Sequence, residues 1–548
     1  MQKSIKKYLS IVAVVGLAVT AISTELNDDF EIAKNLEIFS NVYKELNTYY
    51  VDELNPEKVM RTGMDAMLKS LDPYTTFISP EEVNQFQSSI TGKYGGIGTT
   101  VLRFKGDIII TEPYKGGPAQ KAGVRAGDVV LSIDGESIKG KNTKEVSLKM
   151  RGTPNTTVKL GVKRPGVEKP LKFELTREQI KVPNLPYYEV LDDDMGYIVL
   201  STFSENAGKN VSSALMELKA KAKLKGVILD LRGNTGGLLS EAVNVANVFL
   251  NKGQMVVQIK GRDKANDRAF RTLNAPVDIE IPLVVLINKN SASASEIVAG
   301  CIQDLDRGVV IGQRSYGKGL VQNTRNIAFG AKVKLTTARY YIPSGRCIQA
   351  TKYKNGSPLQ IADSLREAYK TQIGRTVYDG GGISPDIKLS HGDLSKVLSN
   401  LNREHLLFDY SVDYMQRHKT IEDIEKFELK DEDFEDFLAF LKKRSFTQIS
   451  KTEKAIQKLE KTSKEEKYFS IISKDIKALQ AAIEVDKKQD MKKHKTALLH
   501  ILQKLIARNY YYKKGYIQSG IHSDLEIKKA LETLNDVKGY ESLLTTVK

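Results

Sequence analysis

Three small hydroxyls stand two residues apart in the run Ser291-Ala-Ser293-Ala-Ser295-Glu296. Ahead of them, Ile281–Ile287 is an unbroken apolar run rich in β-branched residues, the pattern of a strand buried in a parallel sheet. Behind them, Ile297, Val298, Cys301, Ile302 and Leu305 fall at helical spacing, and Ser295 with Glu296 reads as a helix start. The sequence therefore predicts a hydroxyl at the carboxyl end of a strand, against the N-terminus of a helix. Unpaired backbone N–H groups there favour negative charge. A serine so placed suits nucleophilic chemistry, and it needs a base. All six histidines lie at or beyond His391 (His391, His405, His418, His494, His500, His522), so residues 1–390 hold no histidine to serve. A lysine is the natural candidate, provided that desolvation lowers its pKa enough to free the amine. A second predicted strand, Gly308–Gly312, delivers Lys318 and Gln322. Lys318 sits among Tyr316, Gly317, Gly319, Leu320 and Val321, with no adjacent carboxylate to hold its charge.

The pair of motifs, SASASE followed by Gly317-Lys-Gly-Leu-Val-Gln322, resembles the C-terminal processing (tail-specific) serine peptidases, family S41, over roughly residues 25–390. In that family the nucleophile is the middle serine of the run and the base is a lysine 25 residues on, the separation of Ser293 and Lys318 here. The resemblance thus implies Ser293 as nucleophile, Lys318 as base, and Gln322, one helical-type turn further, as the residue that positions the lysine. Asp230–Gly237 (DLRGNTGG) resembles the family's oxyanion loop, which implies the amides of Gly237 and Ala294 as the oxyanion donors. Glycine suits that role because the backbone must approach the substrate closely. A plain β–α turn reads equally from the glycines alone. Asp230 and Arg232 read as structural, since this chemistry needs no carboxylate acid.

These residues need elements to carry them, and the chain is long enough to supply several. A length of 548 residues suggests three or four domains. The net charge of +16 raises nucleic acid or a membrane as partners. The basic residues are scattered among acids, however, with no Arg-rich arm or aromatic stacking motif, so the lysine excess reads as solvated surface and no nucleic-acid partner is expected. Residues 1–23 read as an export signal: Lys3, Lys6 and Lys7 form a basic start and Ile11–Ile22 an apolar run, short of the roughly 20 residues of a membrane span. Cleavage after Ala21 or Ser23 would place the protein in the periplasm or cell envelope, and an uncleaved anchor is the alternative, giving membrane contact through this segment alone. With only Cys301 and Cys347 there is no disulfide framework. Cys301 reads as a small buried hydrophobe on its helix, with a Cys301–Cys347 bridge left open.

Residues 25–88 carry helical periodicity (Ile32, Leu36, Phe39, Val42, Leu46, then Val59, Met60, Met67, Leu68) before LDPYTTFISPEE breaks it. In the family this helical region can pair subunits; the stripe alone reads as core. Residues 89–177 shift to short β-type runs with turn signals, and Pro113–Ile138 resembles a PDZ domain. Gly96, Ile97 and Gly98 could then offer backbone N–H groups to a peptide's terminal carboxylate while the following strand edge pairs with the peptide. Residues 178–390 alternate strands and helices, placing both candidate loops at the carboxyl ends of strands, where sites of open α/β sheets gather. Within them, Arg339–Arg346 begins a stretch that in the family runs along the substrate groove. A rival reads Gly312–Gly319 as a phosphate loop, but the position after Lys318 lacks the hydroxyl, no long helical pattern follows, and no second nucleotide-binding strand stands out. Residues 391–548 turn lysine- and glutamate-rich with helical periodicity, and their histidines lack metal-ligand spacing. This tail offers no interpretable motif; packing on the core, self-association and adaptor binding are all open to it.

The expectation is a multidomain α+β protein: a helical N-terminal region, a β-rich PDZ domain ahead of an α/β core (crotonase/ClpP-like, as the resemblance implies), and a helical C-terminal region. Its implied activity is that of an exported serine endopeptidase taking proteins by their C-terminal tails, with no metal and no cofactor. The reading from a different class is a PDZ scaffold on a dead protease fold, against which the joint presence of Ser293, Lys318 and Gln322 argues.

Overall fold

The computed structural model describes residues 29–389, 396–444 and 451–545; the expected signal segment and His391 lie outside them. Among the described residues no helix is long and apolar enough to cross a membrane.

Six strands form the central sheet in chain order: β1 (Tyr187–Leu191), β2 (Met195–Val199), β3 (Gly226–Asp230), β4 (Leu283–Ile287), β5 (Val309–Gly312) and β6 (Ile387–Lys388). β1 runs antiparallel to β2, and the other pairings are parallel. Parallel neighbours require crossovers, supplied by α1 (Ala207–Lys221) before β3, α2 (Leu239–Asn247) before β4 and α3 (Ala294–Asp304) before β5. Strands β3, β4 and β5 are buried along their whole length, and successive side chains enter different cores. Val227, Leu229, Leu283, Val285, Ile287 and Val310 pack with the three crossover helices. Ile228, Val284, Leu286, Val309 and Ile311 pack instead with the end of the chain: Ile527, Ala530 and Leu534 of α6 (Leu525–Asn535) and Tyr540 of α7 (Val537–Leu543). The Tyr540 hydroxyl also bonds both backbone groups of Leu283, at 2.9 and 3.2 Å.

A second sheet joins Lys332–Tyr341 to Met255–Gly261, Leu320–Asn326 and Thr76–Ile78. The segment 25–88 is therefore not wholly helical: its LDPYTTFIS stretch adds a strand to the core. The helix at residues 29–49 differs from expectation too. Its stripe (Ile32, Leu36, Phe39, Val42, Leu46) is exposed rather than buried among the described residues.

The PDZ region forms a sheet in the order Thr99–Phe104, Asp107–Pro113, Val129–Ile133, Thr157–Lys163, Leu171–Thr176. Ile108, Ile110, Val130, Val158, Leu160 and Val162 lie in its core, with Val146 and Met150 of the helix Thr143–Met150. Helix α4 (Leu406–Arg417) of the C-terminal region packs Phe408 and Val412 against Ala126 and Ile109 of this domain, and Gln416 donates to the Pro165 carbonyl at 2.7 Å. The kinked α5 (Lys495–Gln518) lies along α4, and α6 and α7 follow it. The tail therefore spans from the PDZ domain to the far face of the central sheet.

Candidate active site

The three serines have separate fates. Ser291 donates to the Leu231 carbonyl and accepts from the Asn288 N–H, at 2.8 and 2.9 Å. Ser295 donates to the Asn234 carbonyl at 2.8 Å. Both hydroxyls fasten the serine turn to the Asp230–Gly237 loop. Ser293 sits between them, just before α3, with φ 57° and ψ −115°. A non-glycine residue in that region is strained, and such strain gathers at functional positions because only a rigid surround sustains it. Its backbone N–H donates to Glu296 Oε2 at 2.8 Å, and its hydroxyl neighbours the Tyr340 phenol, whose pKa burial pushes up to about 12.

Glu296 organises the surroundings. It is fully buried, and its carboxylate accepts four hydrogen bonds: Ser315 Oγ and the Gly317 N–H on Oε1, both at 2.6 Å, and the Ser293 and Lys318 N–H groups on Oε2, both at 2.8 Å. Burial outweighs these donors and raises its carboxyl pKa, although each hydrogen bond by itself favours the ionised form. One side chain thus ties the backbone of Ser293 to the backbone of Lys318. The sequence suggested only a helix start at Glu296; its distance of three residues from Ser293 is the signal that could have marked it.

Lys318 follows β5 on a glycine-flanked loop. Its pKa is lowered, first by burial and then by the charge of Lys334, with Glu296 and Asp72 pulling the other way. Nζ lies 4.5 Å from the centroid of the Tyr74 ring, and no hydrogen bond joins it to Ser293 among the described residues. Tyr74 is held there by the LDPYTT turn, whose Asp72 Oδ1 accepts the N–H groups of Tyr74 and Thr75, both at 2.8 Å. Sequence reading missed Asp72, Tyr74, Lys334 and Tyr340. Pairing across the second sheet brings them in, and no local pattern announces that.

Gln322 lies on an element other than the one its spacing suggested. It lies in the strand Leu320–Asn326 rather than one helical turn beyond the lysine, and its Nε2 points to the Leu320 carbonyl and Thr336 Oγ1, at 3.3 and 3.4 Å. Among the described residues no hydrogen bond joins it to Lys318. That strand also occupies the place where a phosphate loop would begin its helix. Both cysteines are free, Cys301 buried and Cys347 half-buried.

The loop after β3 meets the serine turn edge to edge. A Cβ on Gly236 would lie 2.8 Å from the Ala292 carbonyl oxygen and 3.0 Å from the Ala294 nitrogen, and one on Gly237 (φ 153°) would lie 2.4 Å from the Phe203 oxygen. Only glycine permits this approach. Phe203 donates to the Gly236 carbonyl at 3.1 Å and accepts from the Leu238 N–H at 2.8 Å. Among the described residues no acceptor is found for the N–H of Gly237 or of Ala294. A cleft of about 510 Å³, lined in part by Asp72, Leu320, Thr336, Arg339 and Tyr341, opens beside the Lys318 segment.

In the PDZ domain, Gly96 ends a ribbon strand paired with Glu178, outside the main sheet. Ile97 buries its side chain, and its carbonyl accepts from Ala119 at 2.9 Å. Among the described residues the N–H groups of Ile97 and Gly98 have no acceptor. Both precede Thr99–Phe104, which is an edge strand beside the helix Thr143–Met150.

Comparison with known proteins matches residues 194–356 to a family model described as peptidase family S41, residues 109–164 to a PDZ domain, and residues 397–534 to the C-terminal helical domain of probable PDZ-proteases. A carboxy-terminal-processing protease of Bartonella bacilliformis is 38% identical over 373 residues, 67% of this chain and 85% of that protein. A probable CtpA-like serine protease of Staphylococcus aureus is 37% identical over 323 residues, covering 58% of this chain and 64% of its own length. Among solved structures, a photosystem II D1 C-terminal processing protease aligns at 28% identity and a TM-score of 0.36, over 64% of this chain and 92% of that one.

Proposed function

The chain belongs to peptidase family S41, the C-terminal processing peptidases, and from that premise we propose an exported endopeptidase that grips proteins by their C-terminal tails and cleaves them with Ser293 and Lys318. Membership makes it a serine-type peptidase with a PDZ domain. The observation that carries the finer reading is the strained Ser293, tied through Glu296 to Lys318.

In this mechanism the Lys318 amine leaves the Tyr74 ring, reaches Ser293 Oγ and takes its proton as the oxygen attacks a peptide carbonyl. The N–H groups of Gly237 and Ala294 receive the oxyanion. Lys318 then protonates the departing amine, and water, activated by the same lysine, releases the acyl group. The cleft along Arg339 and Tyr341 receives the chain being cut. The tail's carboxylate sits on the N–H groups of Ile97 and Gly98, and its backbone adds to the edge strand Thr99–Phe104. Export rests on the basic and apolar pattern of residues 1–23. The exposed stripe on the helix at 29–49 supports pairing between copies of the chain.

The test is cleavage of an unfolded protein ending in an apolar tail, once with a free carboxylate and once amidated. The free tail is expected to be cut with a KM at least about 10-fold lower, since two buried donors lose a charged acceptor in the amide. Equal KM values would overturn recognition by the tail.

Lysine as base has its own signature. An amine must be neutral to accept a proton, so acylation rises with pH through the lowered Lys318 pKa. Lys334 helps depress that pKa, so Lys334→Met is expected to move the limb toward higher pH, slowing acylation below it and leaving the plateau near the wild-type rate. A limb that stays in place, or moves down, in burst-phase measurements would count against the assignment.

A further inference from the structure

Arg232, at the start of the loop that carries Gly237, joins two distant parts of the chain. Its Nε meets Asp230 Oδ1 and Oδ2 at 3.0 and 3.1 Å, and Nη2 meets Oδ2 at 2.7 Å. Its Nη1 donates to Asp524 Oδ1 and Oδ2 at 2.9 and 2.8 Å, and to Glu526 Oε2. The Tyr197 hydroxyl completes the group by donating to Asp230 Oδ2 at 2.7 Å. Three carboxylates therefore surround one guanidinium, and the side chains of Arg232, Asp230, Asp524 and Glu526 are 4 to 18% exposed. Such an arrangement is costly to desolvate unless its geometry is fixed. Here it is fixed from the α6 side: Asp524 caps that helix, accepting the N–H groups of Glu526 and Ile527 at 3.0 and 3.1 Å, and a helix N-terminus favours the two negative charges.

From Arg232 the loop runs outward under continuous control. Gly233 donates to Asn288 Oδ1 at 3.1 Å. The Asn234 carbonyl accepts the Ala292 N–H and Ser295 Oγ, at 3.0 and 2.8 Å, and its side-chain oxygen takes the Gly236 N–H at 2.9 Å. The next N–H is that of Gly237. The middle of the loop is thus bonded to the serine turn, whereas its first residue is anchored from the C-terminal region.

We propose that Arg232 is a positioning residue for the oxyanion donors, and that Asp524 and Glu526 of α6 are its anchor, so the C-terminal helical domain forms part of the catalytic apparatus as well as the cover of the sheet. This rests on the function proposed above, in which Gly237 binds the oxyanion. A misaligned donor weakens binding of the tetrahedral state and leaves binding of the ground state alone.

The experiment uses the full chain carrying Asp524→Asn and Glu526→Gln together, at a temperature well below its unfolding midpoint. Two quantities are read: kcat and KM on the apolar-tailed protein, and the affinity of a peptide aldehyde, which becomes a tetrahedral adduct on the nucleophile. The expected result is a kcat lower by about 10- to 100-fold, a KM within about 2-fold, and an aldehyde affinity reduced by the same factor as kcat. Unchanged kcat and aldehyde affinity would overturn the proposal, as would a fall in kcat with aldehyde affinity intact. Should the double variant fail to fold, Asp524→Asn alone is read, with several-fold losses in both quantities expected and wild-type values decisive against it. Ser293→Ala in the otherwise wild-type chain separates the two levels of inference. If it still cleaves and still binds aldehyde, the function proposed above fails; if it does neither while the α6 variants behave as wild type, only the anchoring fails.

Discussion

Hydrolysis of a tailed protein by the Ser293→Ala variant is expected to fall at least about 10⁴-fold, Lys318→Ala to reach the same floor, and the double variant to be no slower than either. A nucleophile and its base act as one unit, so once either is gone the other has nothing to do. Both variants should fold normally. Ser293 is fixed by its backbone N–H on Glu296, which alanine keeps, and the Lys318 N–H on the same carboxylate is likewise untouched. Truncating Lys318 removes its ammonium from the face of the Tyr74 ring, a weak attraction of about 0.5–1 kcal/mol when partly exposed and more when dry. Circular dichroism and thermal unfolding check the fold, and product analysis checks the rate. Hydrolysis surviving Ser293→Ala would move the nucleophile elsewhere, and survival in Lys318→Ala alone would leave the serine in need of another base. In this structure the Lys318 ammonium rests on the ring of Tyr74, in the segment Asp72–Thr75.

Why the turns that carry Ser293 and Lys318 were legible while the residues packed around them were not follows from the range of each signal. The strand–turn–helix around Ser293 is local: a buried β-branched run, three small residues and an amphipathic helix are contiguous, and period and composition suffice. The same holds for the turn of Gly236 and Gly237, whose need for glycine is written in the residue type. Lys334 and Tyr340 lie on the strand Lys332–Tyr341, and Tyr74 on the turn ahead of Thr76–Ile78, which pairs with it; strand pairing between distant segments leaves no mark in either segment alone. Gln322 shows the converse failure. Its spacing from Lys318 suggested a helical turn, but the segment pairs with Lys332–Tyr341 as a strand, and the side chain turns to Thr336.

The tail shows a signal that was present and unread. Strands such as Gly226–Asp230 and Leu283–Ile287 are apolar at nearly every position, so both sheet faces must be covered. The crossover helices cover one. Counting faces would have required a second layer, and the amphipathic helices near the C-terminus were the segments left to supply it; α6 and α7 do so. A similar count fails for the helix at 29–49, because among the described residues its apolar stripe stays exposed.

The second large effect belongs to Glu296→Gln, a change of one oxygen to an amide nitrogen with almost no change in volume. Each carboxylate oxygen accepts two hydrogen bonds, and a glutamine has a single carbonyl oxygen. With its NH2 in place of Oε2, the N–H groups of Ser293 and Lys318 both face a donor and lose their acceptor. With the NH2 in place of Oε1, the Gly317 N–H is orphaned, and Ser315 must accept a further bond while its Oγ already takes the Ile383 N–H at 2.6 Å. At about 1–3 kcal/mol for each buried donor left unpaired, unfolding stability should drop by about 2–4 kcal/mol. The loss in rate should exceed what that implies for the folded population. Ser293 would no longer be pinned in its strained backbone conformation, and a displacement near 1 Å between reacting groups costs about 10²-fold. Glu296→Asp sharpens the comparison, because it keeps the charge yet is one methylene too short to reach all four donors, so it should also lose rate. Thermal unfolding, set beside kcat measured well below the midpoint, separates the two effects. A Glu296→Gln enzyme with both stability and kcat near wild type would mean that Ser293 and Lys318 are held in register by something other than this carboxylate.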